Sequence, residues 1–253
     1  MTVRRLAGVA ELLTLADNDP YVAAEADPER VTATFAAEDG AVGWVLPSRR
    51  VAGRGHLVAL GPHQAAVDLL VAALEGGAVD IGSVSLPRDA DRLLPPPYSL
   101  DPRNDWEWYS TTHPPPVQAR EPDVRPLADG DLGEVAALLA GWSPRADVAP
   151  GDPGVLGWCG VRDHAGSLVA AAAHTERRPG VPHLASIVTH GDHRGNGLGA
   201  AVTAWLTRRL LDAGSDVVTL GMYSDNDDAR RVYRRLGFAC AHELTSGRLV
   251  ERR

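Results

Sequence analysis

The sequence predicts a mixed α/β fold built as two consecutive domains, residues 1–116 and 117–253. Strand-like and helix-like periodicities alternate through most of the chain, which excludes an all-helical or all-strand architecture. His113 is followed by Pro114-Pro115-Pro116 and a polar stretch to Asp123. Three prolines continue neither a helix nor a central strand, and they favour a stiff extended connection. The order of elements before this break also partly repeats the order after it.

In the second domain, Val124–Leu127 reads as a short strand, and Asp129 can cap a helix carrying Leu132, Val135, Leu138 and Leu139 on one side. A Pro-, Gly- and Asp-rich loop (141–154) follows. Strands over 156–161 and 167–174 are joined by the hairpin-like turn Asp163-His164-Ala165-Gly166. A third strand, 183–189, enters a glycine-rich turn. Beyond it Leu198, Val202, Trp205, Leu206 and Leu210 share one helical face, and Gly214 closes that helix. A strand over 217–222 and a short helix over 229–236, ended by Gly237, come next. Residues 238–244 and 248–250 read as a closing hairpin around Ser246-Gly247.

The first domain repeats part of this order. A strand (56–60) leads through Gly61-Pro62-His63 into a helix with Val67, Leu70, Val71 and Leu74 on one face. Gly77 ends it. A strand (79–86), a short helix (89–94) and a further strand (106–111) complete the segment. Setting Gly61 on Gly191 and Gly77 on Gly214 keeps the elements in step, as a weak internal duplication would.

Composition narrows the function. At 44% hydrophobic and 23% charged residues the chain is globular in character. No apolar run approaches the ~18 residues of a membrane span. Met1–Leu13 carries no cleavage signature, so a cytoplasmic protein without a membrane partner is expected. Two cysteines, Cys159 and Cys240, make neither a disulfide framework nor a zinc site, and no metal is expected. All basic residues are arginine, a habit of GC-rich genomes. The net charge of −8 is uneven: residues 1–116 hold nine Arg against sixteen acids, residues 117–253 sixteen against seventeen. With no basic face to neutralise phosphates, nucleic acid is not an expected partner.

The chemistry concentrates between His183 and Phe238. Arg194-Gly195-Asn196-Gly197-Leu198-Gly199 lies between a strand and a helix. Glycines let the main chain approach a ligand closely, and the first-turn N–H groups of the helix form a phosphate site. Gly195-x-Gly197-x-x-Ala200 formally matches a dinucleotide fingerprint. Five residues separate the strand from its first glycine, however, and fewer than sixty follow the motif. That is too few for the rest of a Rossmann sheet.

Arg194-x-x-Gly197-x-Gly199 after a strand, then Asn226, then Ala229-x-x-x-Tyr233-x-x-x-Gly237-Phe238, resembles the GNAT superfamily of acetyl-CoA-dependent N-acyltransferases. The likeness covers roughly residues 124–250. It implies a twisted, mostly antiparallel mixed sheet flanked by helices, in tandem if the first domain is a degenerate copy. It also implies acetyl-CoA as cosubstrate. Main-chain groups of Ile187, Val188 and Thr189 would pair with the pantetheine arm, and amides of Arg194, Gly195, Asn196, Gly197, Leu198 and Gly199 would hold the pyrophosphate. Asn226 would contact the cofactor arm, and Tyr233 would protonate the leaving thiolate.

Each residue has a plainer reading. Tyr233 shares a helical face with Ala229, Val232 and Leu236 and could be a core aromatic. Asn226 could cap the helix it precedes, and Arg194 could be a solvated turn residue. Many relatives carry a carboxylate general base where this chain has Gly221, so no base carries over. His174, Glu176, His183 and His190 are the substitutes the sequence offers.

The expected function is acetyl transfer from acetyl-CoA to a primary amine of a small molecule, with residues 117–253 catalytic. Residues 1–116 are expected to lack a coenzyme A site, because Gly61-Pro62-His63-Gln64 has neither the arginine nor the repeated glycines. They would wall the acceptor pocket, and their acidity favours a cationic acceptor. A homodimer is compatible with this organisation. The alternative is an acyl-CoA sensor or partner-binding module without turnover.

Overall fold

The computed structural model describes residues 2–77 and 79–251. Its elements begin with β1 (Val3–Arg5), α1 (Val9–Leu15), α2 (Pro20–Glu25), β2 (Ala33–Ala37) and β3 (Val42–Pro47). They continue through β4 (Gly55–Leu60), α3 (His63–Glu75), β5 (Ile81–Pro87) and the long β6 (Tyr98–Thr111). Next come β7 (Arg125–Leu127), α4 (Leu132–Trp142), β8 (Val155–Arg162), β9 (Leu168–Arg178) and β10 (Val181–Thr189). The chain closes with α5 (Leu198–Asp212), β11 (Val218–Tyr223), α6 (Asp227–Arg235) and β12 (Ala239–Glu251). The contacts divide it into two compact units: residues 1–108 with 223–225 and 240–253, and residues 109–222 with 226–239.

In the first unit the strand order is β1-β2-β3-β4-β5-β12-β6. Neighbours from β1 to β4 are antiparallel, whereas β4 and β5, joined through α3, run parallel. Helix α3 buries Ala66, Val67, Leu69 and Leu70 against Val45, Leu57 and Val84 of the sheet. Asp19 starts α2 by accepting from the amides of Tyr21 and Val22, with Pro20 fixing the first turn.

The closing segment corrects the sequence reading. Ser246-Gly247 is no hairpin turn, because β12 runs unbroken and pairs antiparallel with β5 from Leu244↔Pro87 to Arg248↔Ser83. Ser246 is buried and bonded to Ser85, 2.6 Å away. Gly247 is small for a packing reason: a Cβ there would lie 2.6 Å from the Pro102 carbonyl oxygen and 2.9 Å from Leu100 Cβ.

In the second unit the order is β11-β10-β9-β8-β7. β7 to β10 are antiparallel, and only β10 and β11 run parallel. Helix α4 covers one face, packing Val135, Leu138 and Leu139 on Trp158, Ala171, Ala173 and Ala185. Cys159, adjacent to Trp158 and so pointing the other way, sits 4.0 Å from the Val202 carbonyl, which places α5 on the opposite face. The start of α4 differs from expectation: Asp129 lies in a short 3₁₀ turn, and Asp131 takes the cap position without a side-chain cap bond, its carboxylate accepting from the Ala128 amide of that turn. The proline-rich stretch is tied to this unit through Arg208, which donates to the Pro115 carbonyl at 2.8 Å and pairs with Glu121 at 3.0 Å.

Candidate acyl-transfer site

The site grows from the way β10 pairs. On one side it follows β9 from Val181↔Arg178 to Thr189↔Ala170, with an irregularity between Ala185 and Val188. Ser186 adopts φ +49° there, a left-handed conformation unusual for a residue with a side chain. Its hydroxyl is pinned to the main chain of Val148, accepting from the amide at 3.0 Å and donating to the carbonyl at 2.6 Å. On the other side β10 meets β11 only at His183↔Thr219 and Leu184↔Leu220. Both strands continue beyond that point, so a splay opens and the main chain of Ile187, Val188 and Thr189 lies along one arm of it.

The vertex is a polar cross-link. His183 is 2% exposed; its Nδ1 lies 2.8 Å from Thr219 Oγ1 and its Nε2 lies 2.5 Å from Arg177 Nη2. A guanidinium only donates, so Nε2 accepts and Nδ1–H donates to the threonine. Thr219 in turn donates to the Pro182 carbonyl at 3.1 Å.

At the open end, β10 passes through a short 3₁₀ turn (Gly191–His193) to the glycines. Gly195 and Gly197 have φ of +79° and +76°. Gly197 occupies the cap position of α5 with no side-chain acceptor, so the first-turn amides of a fifteen-residue helix point outward uncapped. A Cβ on Gly199 would come within 3.3 Å of Thr189 Oγ1, which sets the helix start against the end of β10. These donors and this close approach fit an extended ligand bearing phosphates. Arg194 donates from Nε to the Thr189 carbonyl and from Nη2 to the Trp142 carbonyl, each at 3.4 Å.

Two further residues lie after β11. Asn226 caps α6, its Oδ1 accepting from the Ala229 amide at 3.1 Å. Tyr233 is 6% exposed on α6, its ring 6.2 Å from those of Tyr109 and Phe238. Burial raises its hydroxyl pKa, so the phenol stays a proton donor throughout the neutral range. The first-turn acids Asp227 and Asp228 pair with Arg230 and Arg231, and the exposed Arg234 and Arg235 leave α6 with two more basic than acidic residues.

The substitute bases are spread out. Gly221 is exposed on β11. His183 has its Nε2 lone pair engaged by Arg177. His174 is half-buried on the other face of the sheet, paired with Leu184, and desolvation lowers its pKa. His190 accepts from the Asp192 amide at 3.3 Å. Glu176 pairs with Pro182 at the far end of β10. Among the described residues there is no His/Cys/Asp/Glu group suited to a metal, and no helix long and apolar enough to cross a membrane.

Known proteins resemble this chain in sequence over part of its length and in fold over most of it. Residues 159–245 match the family model described as FR47-like protein. A 70-residue stretch is 36% identical to the mycothiol acetyltransferase of Corynebacterium aurimucosum, which is 28% of this chain and 23% of that protein. The chain thus spans about a quarter of the length of that curated relative. An acetyltransferase of the GNAT family from Novosphingobium aromaticivorans superposes with a TM-score of 0.55 at 21% identity, over 86% of this chain and 91% of that one. A GCN5-related N-acetyltransferase from Sphaerobacter thermophilus gives 0.58 at 17% identity, over 93% and 84%. The fold is that of the GNAT acetyltransferases. The FR47-like match includes the splay, the glycine loop, α5 and α6, so within the GNAT fold the likeness in sequence falls on the candidate site.

Sequence reasoning missed three contributors. Ser186 gives no signal beyond a polar residue in an apolar strand. Trp142 falls in the stretch read as a loop, whereas it is the last residue of α4. Tyr109 lies beyond the motif altogether, at the end of β6.

Proposed function

We propose that this protein transfers the acetyl group of acetyl-CoA to a primary amine of a small molecule, with the cosubstrate held by residues 187–199 and 226. One observation carries the reading: the splay beyond Leu184 and Leu220 opens beside an uncapped, glycine-preceded helix start. The main chain of Ile187, Val188 and Thr189 binds the pantetheine arm as an added strand would, and amides from Arg194 to Gly199 bind the pyrophosphate. The Oδ1 of Asn226 is committed to its cap, so contact with the cofactor arm falls to its amide N–H groups.

Acetyl-CoA supplies an activated thioester carbonyl, which a neutral amine attacks. An N–H of β10 holds the developing oxyanion. Tyr233 donates its proton to the departing sulfur; apolar surroundings that raise the phenol's pKa raise the proton affinity of a thiolate as well. Orientation of the two substrates supplies much of the acceleration.

The first unit is assigned no cofactor site. There β4 and β5 stay paired from Gly55↔Ile81 to Val58↔Ser85, and α3 is preceded by Pro62, which has no N–H to offer.

The test is thiol release from acetyl-CoA over a panel of small amines. Amine-dependent release supports the reading. Tight binding of acetyl-CoA without release from any amine would favour an acyl-CoA sensor, an outcome given weight by the exposed Gly221 and the engaged His183.

A further inference from the structure

Trp142, the last residue of α4, is 38% exposed, yet a whole segment of the site leans on it. His190 lies 4.6 Å from it, ring to ring, and the Arg194 guanidinium carbon sits 5.8 Å from its centroid. Between them the Gly191 main chain closely approaches the indole: a Cβ there would be 2.1 Å from Cζ3 and 2.4 Å from Cη2. The Trp142 carbonyl also accepts from Arg194. One ring from another element therefore touches residues 190, 191 and 194, in the lead-in to Gly195, Gly197 and Gly199.

The physical consequence concerns order. A segment with glycines at 191, 195, 197 and 199 is loosely held by its own backbone, and fixing each residue costs about 1–2 kcal/mol of conformational entropy. A scaffold that orders it beforehand removes that cost from the binding step. The ring also aims a charge. Arg194 spends one Nε–H and one Nη2–H on main-chain carbonyls, and a guanidinium has five N–H groups. The remaining N–H groups are left for a ligand anion.

We propose that Trp142 is a positioning residue for the anion-binding loop, keeping residues 190–194 and the Arg194 guanidinium arranged for the pyrophosphate of the donor. This rests on the acetyl-CoA reading and adds a dependence that reading does not require. Trp142 matters only for donors that carry the pyrophosphate.

The experiment compares acetyl-CoA with S-acetylpantetheine, which has the thioester but neither nucleotide nor pyrophosphate. Trp142→Ala should raise the KM for acetyl-CoA about tenfold with kcat within about twofold, and leave the KM for S-acetylpantetheine unchanged. Trp142→Phe, which keeps a ring face, should recover most of the loss; Trp142→Leu, which keeps apolar character without a ring, should not. Gly191→Ala should reproduce the defect, and the double variant should be no worse than either. Hydrogen exchange at the amides of residues 195–200 in the ligand-free protein should quicken in Trp142→Ala. Equal weakening toward both donors, or unchanged exchange, would overturn the proposal. Failure of the wild type to bind acetyl-CoA at all would overturn the parent reading, and that is seen before any variant is made.

Discussion

His183 Nε2 lies 2.5 Å from Arg177 Nη2 at the point where β10 and β11 part, and the contact decides what that histidine can do. Its lone pair faces a permanent cation and its Nδ1–H is spent on Thr219, so it braces the vertex instead of receiving a proton from an amine. Replacing it by Ala leaves a cavity and removes the donor to Thr219 and an acceptor of Arg177. The expected cost is about 2–4 kcal/mol, read as a lowered Tm with a raised KM for acetyl-CoA. His183→Asn, which keeps a donor toward Thr219, should recover part of both.

With His183 engaged and Gly221 bearing no side chain, proton removal falls to solvent or to the acceptor's own ionisation. The pH profile of kcat/KM should then follow the pKa of the amine supplied, moving when a weaker base is substituted for a stronger one. A profile that stays fixed across amines of different basicity would reveal a base on the protein.

Tyr233→Phe should lower kcat by about 10–100-fold while acetyl-CoA affinity stays within about twofold, because only the proton donor is lost from a buried ring. Its pKa is raised by burial, so ionisation of this residue should produce no alkaline fall in rate below pH ~10. The sign for stability follows. The neutral phenol is favoured in the folded state, so its contribution is complete below the unfolded pKa of ~10 and declines as pH rises through the folded value.

Much of this site can be read in the sequence, for identifiable reasons. Gly195 and Gly197 are dictated by local backbone geometry, and local geometry is what spacing records; Gly199 answers instead to the close approach of Thr189. Asn226 and Tyr233 sit at fixed steps on one short helix. The splay itself depends on which strand pairs with which, and nothing between residues 181 and 223 encodes that β10 leaves β11 after two pairs. The Ser246-Gly247 pair misled for a similar reason: turn chemistry is local, whereas the close approach of Leu100 and Pro102 that requires the glycine comes from 145 residues away or more. In the first unit, β1 is only three residues with two exposed arginines, and β2 and β3 are buried on both faces, so none of the three shows a clear alternation.

Gly197→Ala should weaken acetyl-CoA binding more than it weakens the fold. Nothing lies within 4 Å of a Cβ at this position, so the cost comes from φ +76°, about 1 kcal/mol for a residue with a side chain. If the loop relieves that strain by rotating, the first-turn amides turn away from the ligand. A fall in affinity of tenfold or more by calorimetry, with Tm lowered by only a few degrees, is the expected result.

The first unit should carry an acid-sensitive element of its own. Ser48 Oγ accepts from the amides of Arg50 and Val51, which fills its lone pairs, so its own proton goes to Ser83, 2.7 Å away. Ser83 then donates to His56 Nδ1 at 2.8 Å, and His56 Nε2–H donates to Ser85 at 3.0 Å. Ser85 donates to Ser246, which also accepts from Trp106 Nε1. This direction requires a neutral imidazole. Burial, with Arg50 and Arg49 nearby, holds the His56 pKa down to about 4 against an ordinary 6.5. The unfolded chain therefore binds the proton first, and stability contributed by neutral His56 is complete above pH ~6.5 and lost as pH falls toward 4, by about 3 kcal/mol in all. Denaturant midpoints measured from pH 7 to 4 should fall across that window. His56→Gln should be less stable at pH 7 and show a flatter dependence, and an unchanged slope in that variant would place the acid sensitivity in another group.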